Sequence, residues 1–133
     1  MARKHIKLTP SEWEIMEAVW ELGDAPSVRD VLDHAYPSGE KAYTTVQTVM
    51  NTLVRKGALR RKKVGLVNFY KPVRRRDEMA RGEVKSLLGR VFSGSIPAVA
   101  SSLLELDSLG LEEIEEIKKL LEKRESELKG DGS

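Results

Sequence analysis

The stretch AYTTVQTVMNTLVRKG, Ala42 to Gly57, has two unlike sides. Val46, Val49, Met50 and Leu53 recur at i, i+3, i+4 and i+7, the spacing of a helix with one face to bury. Thr44, Thr45, Gln47, Thr48, Asn51 and Thr52 fill the other side, followed by Arg55. An ordinary solvated face carries Glu and Lys, which form helix better than Thr or Asn. Here propensity is given up for short hydrogen-bonding groups. Such groups suit base edges at close range, where Gln and Asn can pair bidentately and Thr offers a hydroxyl and a methyl. The plain alternative is a Thr-rich surface helix, and the flanking sequence decides between them.

Upstream, Thr9-Pro10-Ser11-Glu12 spells a capping box, with Thr9 as N-cap, Pro10 at the first helical position and Glu12 at the third. Leu8 and Trp13 are spaced as a hydrophobic staple. Trp13, Met16, Val19 and Trp20 form one apolar face, and Gly23 ends the helix. The seven-residue spacing of the two Trp makes them core residues rather than a base-stacking pair. Ala25-Pro26-Ser27 suggests a very short strand. Ser27 then caps a second helix, with Asp30 closing its box and Val28, Val31, Leu32 and Ala35 facing inward, until Pro37-Ser38-Gly39 stops it.

Downstream, Leu59 to Pro72 reads as a hairpin with strands over 58–63 and 67–71 and a tip at Val64-Gly65-Leu66. Leu59, with Val67 and Phe69 or Tyr70, is expected to cover the helices. Arg60-Arg61-Lys62-Lys63 places four consecutive cations on the rising strand, alternating between its two sides. A charged edge strand that deters aggregation accounts for one or two of them, less well for four beside a Thr-rich helix. Three short helices and a basic hairpin are the order of a winged helix-turn-helix. In that geometry the third helix enters the major groove and the wing straddles the adjacent backbone. Thr44, Thr45, Gln47, Thr48 and Asn51 are then the expected base readers. Arg55, Lys56, Arg60, Arg61, Lys62 and Lys63 are the expected phosphate contacts.

The charge distribution agrees. Residues 1–76 hold 15 Lys and Arg against 8 Asp and Glu, net +7, whereas residues 77–133 hold 8 against 13, net −5. A basic front suits a polyanion and an acidic back a different task. No apolar run reaches the roughly 18 residues of a membrane span, and the basic N-terminus has no apolar segment behind it, so neither a span nor a secretory signal is expected. The chain has no Cys, which excludes disulfides and thiolate chemistry and fits a cytoplasmic setting. His5 and His34 lack a second ligand at metal spacing. No convergent set of groups suggests an enzyme, a metal site or a cofactor.

The back half reads as three helices: Asp77–Phe92 with Asp77 as cap, a short one over Ile96–Leu104 with Pro97 in its first turn, and Leu111–Leu128. Breaks fall at Ser93-Gly94-Ser95 and Asp107 to Gly110. These slender helices carry more apolar positions than one copy can bury, so a symmetric homodimer is expected. Its contacts would come from Leu87, Leu88, Val91, Phe92, Ile96, Val99, Leu103, Ile114, Ile117 and Leu121. The expected fold class is mainly α, a winged helix-turn-helix domain over 6–72, a linker at 73–76, a helical dimerisation domain over 77–128 and a disordered tail at 129–133. A two-fold dimer suits a palindromic double-stranded DNA operator. The competing reading is a protein-interaction module that uses the winged domain and the acidic helices without specific DNA binding.

Leu8-Thr9, Glu12-Trp13-Glu14-Ile15-Met16, Val19-Trp20, Tyr43-Thr44-Thr45-Val46-Gln47-Thr48, Leu53-Val54-Arg55-Lys56-Gly57 and Phe69-Tyr70-Lys71-Pro72 together resemble the penicillinase-repressor family. These are winged-helix repressors of β-lactamase and methicillin-resistance genes, with copper-responsive relatives. The likeness spans about residues 6–128 and includes the Phe92-Ser93-Gly94-Ser95 break. It implies a homodimeric repressor that covers a promoter palindrome, with Thr44, Thr45, Gln47 and Thr48 at the base-contacting turn. Two departures stand out. Thr52 replaces an Arg found in many relatives. The Asn-Phe bond cleaved during induction in one branch falls at Ser102-Leu103 here, and the Cys cluster of the copper-responsive branch has no counterpart. Neither known route of induction is therefore supported by these residues.

Overall fold

The structure, a computed structural model, describes residues 4–131. It is mainly helical with one small sheet: α1 (Pro10–Leu22), α2 (Val28–Ala35), α3 (Tyr43–Arg55), β1 (Leu59–Val64), β2 (Val67–Pro72), α4 (Arg76–Phe92), α5 (Ile96–Leu104) and α6 (Leu111–Asp131). The chain falls into two compact units that divide between Ser86 and Leu87, inside α4.

In the first unit both expected capping boxes form. Thr9 Oγ1 accepts from the Glu12 amide while the Thr9 amide donates to the Glu12 carboxylate, and Ser27 and Asp30 repeat the arrangement on α2. Gly23 closes α1 at φ 64°, and Asp24 and Ala25 follow at φ 47° and 49°. This left-handed run, unusual for two residues with side chains, turns the chain sharply into Pro26. The Pro26 carbonyl accepts from the Tyr70 amide, and Ser27 forms an isolated antiparallel bridge with Phe69, so the suggested short strand is a single bridge.

The three helices pack pairwise around Ile15, Met16, Val19, Val31, Val46, Met50 and Leu53, all essentially without solvent contact. Trp13 and Trp20 lie against this core with ring centroids 6.0 Å apart, and Trp20 Nε1 donates to the Arg74 carbonyl. Tyr36 is buried beside Glu14, its hydroxyl 2.7 Å from Oε2. Burial and that carboxylate hold its phenol protonated up to about 12.

The hairpin pairs Leu59 with Pro72 through Val64 with Val67, leaving Gly65-Leu66 as a two-residue turn. Gly65, at φ 63°, takes the first turn position, where a primed turn needs a positive φ. β1 begins and ends one residue later than expected, with Ala58 still packed in the core, whereas β2 begins at Val67 as expected and ends one residue later. Leu59 and Tyr70 cover the helices as expected. Val67 does not: it is 45% exposed, since strand alternation puts it, with its partner Val64, on the side opposite to Leu59 and Tyr70. Past β2, Arg74 and Arg76 lie near carboxylates of the same unit. Arg76 Nε lies 2.8 Å from Glu17 and Arg74 Nε 3.7 Å from Glu78. Asp77 is not a cap, because α4 already begins at Arg76; it sits in the first turn, where its charge suits the helix dipole.

The second unit contains the end of α4, then α5 and α6. Ser95 caps α5 with its hydroxyl accepting from the Ala98 amide, and Gly110 donates to Glu113 at the start of α6. Ser93 and Gly94, at φ 50° and 81°, make the break before α5. The last helix continues past Leu128 to Asp131, since nothing between them forces a stop; Gly132 and Ser133 of the expected tail lie outside the described residues. No described residue from 87 onward is buried. No single helix among the described residues is long and apolar enough to cross a membrane.

Candidate nucleic-acid interface

The two sides of α3 are separated as its sequence demands. Val46, Met50 and Leu53 have no solvent exposure, while Thr44, Thr45 and Thr48 are exposed and Gln47 is half-buried. None of these four polar side chains has a hydrogen-bond partner among the described residues, which leaves their donors and acceptors available to a ligand. Unlike α1 and α2, α3 has no side-chain cap at Ala42 and no acidic residue in its first turn. A polyanion approaching that end meets no carboxylate there. Arg29 on α2 lies 5.3 Å over the Tyr43 ring and adds a cation beside the start of the helix. As a lone Arg on a neighbouring helix, it carried no signal in the sequence.

Strand alternation sorts the cations of β1. Leu59, Arg61 and Lys63 share one side, Arg60 and Lys62 the other. Residues directly opposite in an antiparallel pair also share a side, so Arg61 stands next to Tyr70 on the side that Leu59 turns toward the core. From there Arg61 Nη1 donates to Asn51 Oδ1 at 2.8 Å, and the Tyr70 hydroxyl donates to the same oxygen at 2.9 Å. Burial raises the Tyr70 phenol pKa, with Arg61 opposing part of that rise. The hydroxyl therefore remains a donor. Arg60, Lys62 and Lys63 are exposed and have no side-chain partner among the described residues.

The remaining two cations differ. Arg55 is exposed and, among the described residues, bonds through its side chain only to Thr52 of its own helix, Nη2 to Oγ1 at 2.9 Å. Lys56 turns the other way. Its Nζ lies 2.7 Å from Glu12 Oε1 and 3.0 Å from the Lys7 carbonyl. Glu12 is 5% exposed. Burial pushes its carboxyl up, but hydrogen bonds from Lys56 and Thr9, with the Lys56 charge, outweigh burial and hold it below its ordinary value. Lys56 thus neutralises a buried carboxylate, a role its place in a basic run gave no hint of. The two histidines face carboxylates, His34 with Glu21 at 2.6 Å and His5 with Glu83 at 3.4 Å.

The ten residues expected at a dimer contact are all exposed or half-buried in the single chain. Val91 and Ile96 are open to solvent, and Leu88, Phe92, Val99 and Ile114 are partly covered.

Comparison with known proteins agrees with this arrangement. The "Penicillinase repressor" family model matches residues 8–123. The penicillinase repressor of Bacillus licheniformis is 30% identical over 129 residues, covering 96% of this chain and 98% of that protein. The methicillin resistance regulatory protein MecI of Staphylococcus aureus is 23% identical over 124 residues, 93% of this chain and all of that one. Among solved structures, the DNA-binding domain of the repressor BlaI superposes with a TM-score of 0.50 at 25% identity, over 57% of this chain and 92% of that one. With the family pattern running from Leu8 to Lys123 through a winged helix whose third helix offers an unengaged polar face, the chain belongs to the penicillinase-repressor family.

Proposed function

We propose that this chain is a sequence-specific DNA-binding transcriptional repressor that acts as a homodimer on a palindromic operator. The observation that carries the proposal is the α3 face itself. Among the described residues, Thr44, Thr45, Gln47 and Thr48 have no side-chain partner, in a helix otherwise locked by a buried stripe and beside a strand whose Arg60, Lys62 and Lys63 are likewise without one. In this reading Thr44, Thr45, Gln47 and Thr48 meet base edges, and Asn51 extends the same stripe by one turn. Arg55, Arg60, Lys62 and Lys63 take phosphates. Arg61 and Lys56 contribute charge mainly from fixed positions. The chain works in the cytoplasm by occupying DNA rather than by catalysis.

The second unit supports the homodimer. With no buried residue of its own among those described, and with Leu111 83% and Ile96 69% exposed, residues 87–131 gain a core only by covering those side chains. A second copy is the economical cover, and its two-fold axis gives two reading helices the symmetry of a palindrome.

The test is binding of duplexes selected from the source genome, followed across a salt series. Specific duplexes should be retained at salt where random DNA is released, with affinity falling steeply as salt rises. Gln47→Ala should relax preference at one base pair per half-site, about 1–3 kcal/mol, whereas Lys62→Ala should weaken all duplexes alike and reduce the salt slope by about 1. Equal retention of scrambled DNA at physiological salt would refute the proposal.

A further inference from the structure

Asn51 sits at i+4 from Gln47 and i+3 from Thr48, so it prolongs the polar stripe of α3 toward the wing. An unrestrained Asn at such a position can accept and donate at once, which is how the side chain pairs with adenine. Asn51 is restrained. Its Oδ1 accepts from Arg61 Nη1 at 2.8 Å and from the Tyr70 hydroxyl at 2.9 Å, which uses both lone pairs of that oxygen. Guanidinium has no acceptor, so the amide cannot be turned over without setting its NH2 against the Arg61 N–H. Tyr70 is fully buried and cannot swing away.

We infer that Arg61 and Tyr70 lock the Asn51 amide so that it meets DNA only as a hydrogen-bond donor. This rests on the repressor reading above and adds a polarity to one of its contacts. An N–H donor matches an acceptor-only surface, either the guanine edge at O6 or a phosphate oxygen. It does not match adenine, whose N6 amino group requires an acceptor. The lock also joins the wing to the reading helix through one side chain, so Asn51 is a positioning residue for the wing as well.

Binding-site selection from a random duplex library tests the inference, using the full chain, Asn51→Ala, the unlocked double variant Tyr70→Phe/Arg61→Ala, and the triple variant combining them. Asn51→Ala should weaken binding roughly tenfold. A base-edge acceptor would show as relaxed preference at a G·C pair in each half-site. A phosphate acceptor would show as an equal loss on all duplexes. In the unlocked background the amide can rotate and accept. A base-edge contact should then tolerate A·T at that pair, and for either acceptor the added Asn51→Ala should weaken binding well under tenfold, a non-additivity that measures the lock. Tyr70→Phe alone, which keeps the ring in the core, serves if the double variant does not fold. The inference is overturned by an Asn51-dependent preference for A·T in the native chain, by additive losses, or by an Asn51→Ala chain that melts lower yet binds DNA unchanged. If the native chain retains no duplex at low salt, the repressor reading itself fails, a result separate from these.

Discussion

Glu12 shows how much one side chain can hold. It closes the α1 capping box at Thr9 and receives Lys56 from the end of α3, so a single carboxylate joins the start of the first helix to the end of the third. Lys56→Ala would leave a carboxylate buried with only backbone and hydroxyl partners, and should lower stability by about 1–3 kcal/mol in urea unfolding. The pH dependence has a definite sign. The folded carboxyl lies below its ordinary 4.5, so its contribution is complete above that value and is lost as pH falls through the folded pKa. The melting temperature of the native chain should therefore fall more steeply than that of Glu12→Gln below about pH 5. Parallel curves for the two proteins would show that the pair contributes nothing.

At the scale of elements, Ser27→Ala removes the α2 cap and should lower stability by about 1 kcal/mol, again read from urea unfolding. The loss should not extend to the Ser27–Phe69 bridge, which is a backbone pairing. Caps of this kind are local patterns of four residues, and for that reason the starts of α1 and α2 could be seen in the sequence, as could the two-faced α3 and the basic hairpin from their own local periodicity. What could not be seen depends on contacts between distant residues. Lys56 reaches Glu12 across 44 positions, and Arg61 reaches Asn51 only because strand register puts it beside Tyr70. In the sequence both cations were indistinguishable from their neighbours in the basic run. Val67 misled for a related reason. Hydrophobicity says that a residue prefers burial, but strand register decides which side of the hairpin it takes, and Val67 falls on the side opposite Leu59 and Tyr70.

For the whole molecule, the contrast between the units matters most. The first has a closed core from Leu8 to Met79, whereas the second presents apolar side chains along every helix. Ile117→Glu, on α6, should therefore shift sedimentation from dimer to monomer at micromolar concentration and weaken operator binding, while the core of the first unit continues to melt cooperatively. A monomer already present in the native chain at that concentration would remove the basis for a two-fold arrangement. The charge split observed in the sequence follows the same partition: the cations of β1 lie in the first unit and the Glu-rich start of α6 in the second.

The separation of the two faces of α3 also bears on how such a repressor changes allegiance. Its buried stripe fixes the fold, and Thr44, Thr45, Gln47 and Thr48 bond to nothing else among the described residues. On the proposed reading of those four positions as base readers, drift there rewrites the operator without touching the core, so stability and address evolve separately. Asn51 is the exception, because its oxygen is held by Arg61 and Tyr70 of the hairpin. On the proposed reading, a lineage or an engineer that recodes this helix has four free letters and one that must change together with Arg61.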